Sequence, residues 1–285
     1  GLGKNRRSLG LAARSYANGQ SSNIGYYELN AAMQLGRKDD PDMQSFINTK
    51  FAIPQKAVTI DEASVLVVDD KGRRWRLPLG NNAYTDLTNQ ATLRICREVA
   101  TERDLFNCHG TFYELPAENA DGYAKIRPIS SHKLRINDYA SYRGLLILTG
   151  IDRSSVTKNE HIVVSDDKKA TIWAGAIDDL WKLGKPIGHG GPWKNTKVTA
   201  NEASDPYLIG FYDQRSLQLS HKATSPVTFT IEADPTGNGI WMSYKTITVS
   251  PDKPISYEFP KDFQARWVRF KTDKACEASA LLEYK

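Results

Sequence analysis

The sequence predicts an all-β protein, a β-propeller-like array of antiparallel four-stranded sheets behind an irregular N-terminal arm. Three observations carry that expectation. Strand-favouring aromatics are abundant, with 13 Tyr, 9 Phe and 6 Trp against 3 Met in 285 residues. Turn formers are plentiful, with 20 Gly and 13 Pro. Short apolar or alternating runs recur about every ten residues, the spacing of sandwiches and propellers.

The elements follow in order. Residues 8–22 are rich in Ser, Gly, Ala and Asn without a clear period, and 37–42 form a polar break ending at Pro41. The stretch 1–50 therefore reads as the irregular arm. A β domain is expected over 51–285, with a sub-boundary near residue 195. It opens with a strand at 64–68, an Asp-Asp-Lys-Gly turn at 69–72 and a returning strand at 73–77. Residues 92–99 alternate through Leu93, Ile95 and Val99, and 110–115 are aromatic and strand-like. Strands of buried type follow at 144–149, 161–164 and 170–174. Residues 176–183, carrying Trp181, are the good helix candidate.

The four strands expected at 207–211, 217–221, 227–233 and 241–249 have turn-rich separators and fit one propeller blade. Residues 125–175 fit another. Strands at 257–259, 266–271 and 280–284 end the chain, and 266–284 could close a ring by pairing with residues 24–60. A β-sandwich in the C-terminal third is the alternative. Residues 257–269 look a little like the last strands of discoidin-type carbohydrate-binding sandwiches.

Charge and cysteine narrow the function. The formal charge is +5, from 38 basic and 33 acidic side chains. The whole excess lies in residues 1–38, where Lys4, Arg6, Arg7, Arg14, Arg37 and Lys38 face one acid, Glu28. The main body is balanced, which argues against a nucleic-acid partner. Apolar runs such as 145–148 and 162–164 fall far below the roughly 20 residues of a membrane span. Cys96, Cys108 and Cys276 lack zinc-like spacing. They read as free buried thiols, with a Cys96–Cys108 bridge as the alternative.

Four segments are distinctive: residues 101–116 (TERDLFNCHGTFYELP), 126–132 (IRPISSH), 142–146 (YRGLL) and 204–208 (SDPYL). Together they resemble secreted β-propeller proteins of glycan-degrading bacteria, uncharacterised members and polysaccharide lyase or glycosidase relatives among them. The resemblance covers about residues 60–285. It implies a bacterial, secreted or periplasmic, carbohydrate-active protein with a glycan ligand. It also implies pairing with another chain or with further N-terminal blades.

The candidate site is read from side-chain chemistry. Arg103, His109, Glu114, Arg127, His132 and Arg143 fall at predicted strand ends and loops, which gather at the mouth of a propeller. Arg103, Arg127 and Arg143 suit a sugar carboxylate held bidentately. His109 and His132 suit proton transfer near neutral pH, with Tyr113 as an acid. This set points to an acidic polysaccharide or oligosaccharide, handled by lyase-type elimination. The alternative is a non-catalytic glycan-binding or scaffold module using Trp193, Trp181 and Tyr113. Bland readings stand beside these: His109 caps a turn before Gly110, the arginines pair with Asp104 and Asp138, and Trp193 plugs the core. His189 and Trp193 lie in a glycine-rich loop at 188–193 without the signature of a phosphate loop. No Gly-x-Ser-x-Gly elbow occurs. No carboxylate pair is selected by spacing among Glu114, Glu118, Asp121 and Asp138, and Asp178–Asp179 reads as a helix-start pair. No cofactor is expected; the alternative is a divalent metal, calcium or zinc, with His109, His132 and His189 the imidazoles on offer.

Overall fold

A computed structural model describes residues 2–17, 20–50, 58–80, 95–97, 104–134, 136, 138–151 and 159–285. The protein is all-β in its architecture, with antiparallel sheets predominating. Among the described residues, no helix is long and apolar enough to cross a membrane.

The N-terminal stretch is ordered into elements, which corrects the irregular arm. Strands β1 (Leu9–Ala17), β2 (Gln20–Leu29) and β3 (Leu35–Lys38) form an antiparallel sheet. The helix α1 (Pro41–Lys50) follows. Pro41 opens α1, and the Met43 N–H donates to Asp40 Oδ1 at 3.0 Å, a side-chain cap. The buried positions Leu9, Tyr27, Leu29 and Leu35 are the apolar stripe. Interspersed Gly, Ser and Asn dilute its period in the sequence.

Strands β4 (Val58–Ile60), β5 (Val65–Val68) and β6 (Arg74–Leu77) form a meander around the expected Asp-Asp-Lys-Gly turn. Asp69 fixes that turn by accepting from the Lys71 and Arg73 N–H groups at 3.0 and 2.9 Å. Next come β7 (Ile95–Arg97), β8 (Asp104–Cys108), β9 (Thr111–Glu114) and β10 (Arg127–Ser131), in sheet order β10-β9-β8-β7. Strands β11 (Asp138–Tyr142), β12 (Leu145–Thr149), β13 (Ile162–Val164) and β14 (Thr171–Gly175) form a second four-stranded sheet, ordered β11-β12-β14-β13. The predicted helix at 176–183 is a 3-10 helix, Ile177–Leu183.

The remaining strands are β15 (Gly188–Val198), β16 (Tyr207–Leu208), β17 (Arg215–His221), β18 (Val227–Asp234), β19 (Met242–Val249), β20 (Ile255–Glu258), β21 (Trp267–Thr272) and β22 (Cys276–Tyr284). They build a two-sheet sandwich, the alternative expected for this third of the chain. One sheet is β15-β22-β17-β20; the other is β19-β18-β21-β16, extended by β6-β5-β4. The single-blade reading of 207–249 is thereby corrected, because β17 and β18 belong to different sheets. Ring closure by 266–284 is corrected too. β21 pairs with β18 and β16, and β22 with β15 and β17. The early strand reached is β6, which pairs in parallel with β16.

Three buried clusters bind these parts in a row. Leu9, Tyr27, Leu29 and Leu35 pack on Ile147 and Ile172, joining the N-terminal sheet to the β11–β14 sheet. Leu105, Phe112 and Ile129 pack on Tyr139, Leu146, Leu148 and Trp173, joining that sheet to the β7–β10 sheet. The opposite face of the latter sends Phe106, Cys108 and Tyr113 into the sandwich core. Cys108 is a free, buried thiol, and Cys96 stands opposite Leu105 rather than Cys108.

Candidate functional site

Turn chemistry decides where the sequence candidates lie. His109 and Gly110 are the two turn residues of the β8–β9 hairpin, with φ of 49° and 83°. Arg143 and Gly144 do the same between β11 and β12, with φ of 52° and 80°. Both are left-handed dipeptides that match strand twist.

His109 is 1% exposed. Its Nδ1 accepts the Gly80 N–H at 2.8 Å, so the neutral ring carries its proton on Nε2. That Nε2 is buried and has no partner among the described residues. Burial first, and the nearby His189 second, lower the His109 pKa to about 4. A metal on Nε2 would need a proton on Nδ1, where Gly80 already donates. Among the described residues no group of three or more His, Cys, Asp or Glu side chains could hold a metal ion.

His132 is 4% exposed, and burial lowers its pKa to about 4. Its Nδ1 lies 3.0 Å from Leu134 O and so donates. Its Nε2 lies 3.0 Å from Asn107 Oδ1, two acceptors face to face in a neutral ring. A half-turn of that amide presents Asn107 Nδ2, otherwise unpartnered, as the donor. His132 packs at a tilt against Phe112, on the β11–β14 side of its sheet. Tyr113 is fully buried on the sandwich side. His132 and Tyr113 thus occupy opposite faces, and the expected catalytic trio does not share one cavity.

The binding candidates disperse likewise. Arg127 and Glu114 do meet, at 2.8 Å. Arg143 lies over Tyr142, whose hydroxyl donates to Arg7 O. His189 is exposed on β15, in a bridge with Leu79. Trp193 is buried against Phe270, in its core-plug role. Trp181 is 42% exposed on the 3-10 helix. Arg103 lies outside the described residues.

A different constellation gathers at one end of the sandwich. The loop 210–214 joins β16 to β17 and is pinned by the Ile209 and Gly210 N–H groups, both donating to Arg266 O. Phe211 in that loop has φ of 71°, which a bulky side chain adopts at a cost of about 1–3 kcal/mol. It is nevertheless 47% exposed. Two guanidiniums lie over its ring, Arg266 at 4.9 Å and Arg127 at 5.9 Å. A cleft of about 650 Å³ opens beside them, lined by Lys185, Phe211, Gln214, Arg215, Lys261 and Arg266 among others.

Electrostatics make this cleft unusual. Arg266 Nη1 donates to Lys125 O and Ile126 O, at 2.6 and 2.9 Å. Burial, then the Arg127 charge, lower its pKa. Arg215 is 6% exposed, donates from Nη2 to Pro260 O and Lys261 O, and is likewise lowered by burial. The Nε atoms of both arginines are buried and have no partner among the described residues. The residues that build this cleft come from distant parts of the chain, so no sequence window contains them. The local hint was Gly210-Phe211, an aromatic at the mouth of a turn.

Beneath the cleft lie buried phenols. Tyr212 stacks on Tyr284 at 4.1 Å. The hydroxyls of Tyr113, Tyr207 and Tyr212 are buried without a partner of good geometry. Tyr207→Phe is therefore expected to leave stability unchanged or raise it by up to about 1 kcal/mol, because it removes an unpaired polar atom. A loss above about 1 kcal/mol in chemical denaturation would show that the hydroxyl is satisfied.

No protein-family model matches the chain, and no curated protein matches it. Among solved structures it is similar to PirA, with 18% identity over 35% of this chain and 84% of that one, at a TM-score of 0.20. It is also similar to an exo-beta-1,3-galactanase from Phanerochaete chrysosporium solved with galactose, with 10% identity over 99% of this chain and 76% of that one, at a TM-score of 0.19.

Proposed function

We propose that the chain is a glycan-binding module that takes an acidic polysaccharide or oligosaccharide in the cleft beside Phe211. One observation carries the reading: a half-exposed phenylalanine in a left-handed conformation has Arg127 and Arg266 over its ring, at the edge of a cationic cleft. Strain of that kind persists where the surroundings over-determine it, and clusters at binding sites. The chemistry suits the ligand class. The exposed part of the ring offers apolar contact to a sugar. Guanidinium N–H groups donate charge-assisted bonds to a uronate or sulfate, each contributing about 1.5–3 kcal/mol. Lys261 adds positive charge to the lining, where Lys185 stands paired with Asp213. A polysaccharide ligand calls for a secreted or periplasmic protein.

Binding is favoured over lyase-type elimination by the state of the imidazoles. A base for proton abstraction must come within hydrogen-bond reach of the substrate. His109 and His132 are 1% and 4% exposed, and neither lines the cleft.

The test is titration calorimetry of the full chain against uronate-containing, sulfated and neutral polysaccharides. Acidic chains are expected to bind and neutral ones not. Phe211→Asn is expected to weaken binding about tenfold or more. Its folding stability should stay within about 1 kcal/mol of the parent, because Asn tolerates the left-handed region. Equal binding of neutral chains, or an indifferent Phe211→Asn, would overturn the reading. Unsaturated sugar ends appearing in the mixture would restore elimination.

A further inference from the structure

The cleft holds two guanidiniums that no carboxylate among the described residues pairs directly: Asp213, also in the lining, acts on Arg215 only from beyond salt-bridge distance, and Asp234 likewise on Arg266. Among the described residues, no carboxylate comes within salt-bridge distance of Arg215 or Arg266. The acids around them are engaged elsewhere. Glu114 holds Arg127 at 2.8 Å. Asp213 lies 3.6 Å from Lys185, with its side chain 72% exposed. Asp234 accepts backbone N–H groups from Thr236, Gly237, Asn238 and Gly239. An arginine carries five N–H donors in a rigid fork. The carbonyl contacts occupy Nη2 of Arg215 and Nη1 of Arg266, and each Nε is buried with no partner among the described residues. A desolvated charge without a directly bonded counter-charge is costly, so such a pair calls for anionic groups from a ligand.

The two side chains are anchored separately. Arg266 is fixed by the 125–126 carbonyls and by Phe211. Arg215 is fixed by the 260–261 carbonyls and lies over Phe263, 5.5 Å from the ring centroid. Both line the one cleft of about 650 Å³, within the range that houses a ligand of several rings.

We infer that Arg215 and Arg266 each take one negative charge of the same ligand, so that the cleft selects glycans acidic on successive units over glycans with one acidic group. The inference rests on the glycan-binding reading above and makes these two arginines its specificity determinants.

The experiment compares galacturonate, digalacturonate and a neutral digalactose by calorimetry on the full chain. Digalacturonate is expected to bind about tenfold or more tighter than the monomer, a gain beyond the doubling that two equivalent units would give. Arg266→Gln and Arg215→Gln should each bring the dimer to the level of the monomer. Each should also reduce the salt dependence of dimer binding. Arg215→Lys guards against a folding defect at the buried position; it should keep part of the dimer preference while the circular-dichroism spectrum stays that of the parent. Equal affinity for monomer and dimer, or a preference that survives Arg266→Gln, would overturn the inference and leave acidic-glycan binding standing. If no sugar binds, inorganic sulfate is the probe. Protection against thermal unfolding that requires both arginines would keep the two-charge site while the glycan reading fell. Absence of both effects overturns both.

Discussion

Replacing Trp267 with alanine is expected to cost about 3–5 kcal/mol of folding stability, read as a lowered midpoint in urea denaturation. Trp267 is fully buried, although it shares a face of β21 with the partly exposed Arg269 and Lys271. It lies on the outer face of its sheet, and the segment 122–126 is what covers it. The indole packs on Trp75 at 4.8 Å and donates from Nε1 to Ala124 O at 2.9 Å. Around this point Arg266 bonds the Lys125 and Ile126 carbonyls, and Lys125 Nζ bonds Thr236 O and Asn238 Oδ1. Gly237 completes the fit. Its φ is 73°, and a Cβ there would lie 2.3 Å from Ala124 O.

Alanine at 267 thus removes a large apolar group and orphans a buried carbonyl at the seam between the β7–β10 sheet and the sandwich. Binding should fall with stability, because Arg127 reaches Phe211 only while the segment is docked. Trp241→Ala supplies the contrast. That ring is partly exposed under Arg269, at 4.3 Å, and its loss should cost about 1 kcal/mol. Similar costs for the two tryptophans would remove Trp267 from its place as the seam's anchor.

Much of the fold was legible where the signal is local. The Asp-Asp-Lys-Gly turn and its two strands are where the sequence puts them, because a carboxylate accepting its neighbours' N–H groups needs no distant partner. Sheet membership was not legible. β17 and β18 show the same alternation of buried and partly exposed residues, yet pair in different sheets. Alternation specifies a face, and the identity of the neighbouring strand is set by contacts far along the chain. The N-terminal sheet was missed for a different reason. Its inward residues are separated by Gly, Ser and Asn, and its burial comes from Ile147 and Ile172 of another sheet.

At the candidate site, turn signals and chemical signals fall on the same residues. His109 and Arg143 drew attention as polar residues beside glycines at strand ends. Those features also make left-handed hairpin dipeptides, and both residues occupy hairpin turns. Arg127 is the candidate that approaches the cleft, over the ring of Phe211. Its companions Phe211, Arg215 and Arg266 sat in segments read as ordinary strand ends and turns. Their meaning depends on two guanidiniums without a directly paired carboxylate sharing one cleft, a relation between distant residues that composition and spacing do not encode.

The two buried histidines set the response to acid. Their usual pKa is near 6.5 and each falls to about 4 in the folded chain. Between those values the unfolded chain binds more protons than the native one, so stability falls as pH drops. The contribution is intact above the unfolded value and is lost as pH falls toward the folded one. Each shift corresponds to about 3 kcal/mol, and the two together to a large share of the roughly 5–15 kcal/mol that holds a domain folded.

The geometry gives the reason. A second proton on His109 would sit on Nδ1, opposing the Gly80 N–H that now donates there, with His189 close by. A second proton on His132 would sit on Nε2, where the Asn107 amide must donate. Denaturation midpoints measured from pH 7 to 4 should therefore decline with the uptake of about two protons on unfolding, steepest near pH 5. His109→Gln should reduce that uptake to about one, whatever it does to stability at pH 7. Midpoints that stay level from pH 6.5 to 4.5 would mean that both imidazoles titrate as freely in the native chain as in the unfolded one. The Gly80 contact would then be no guide to the charge on His109.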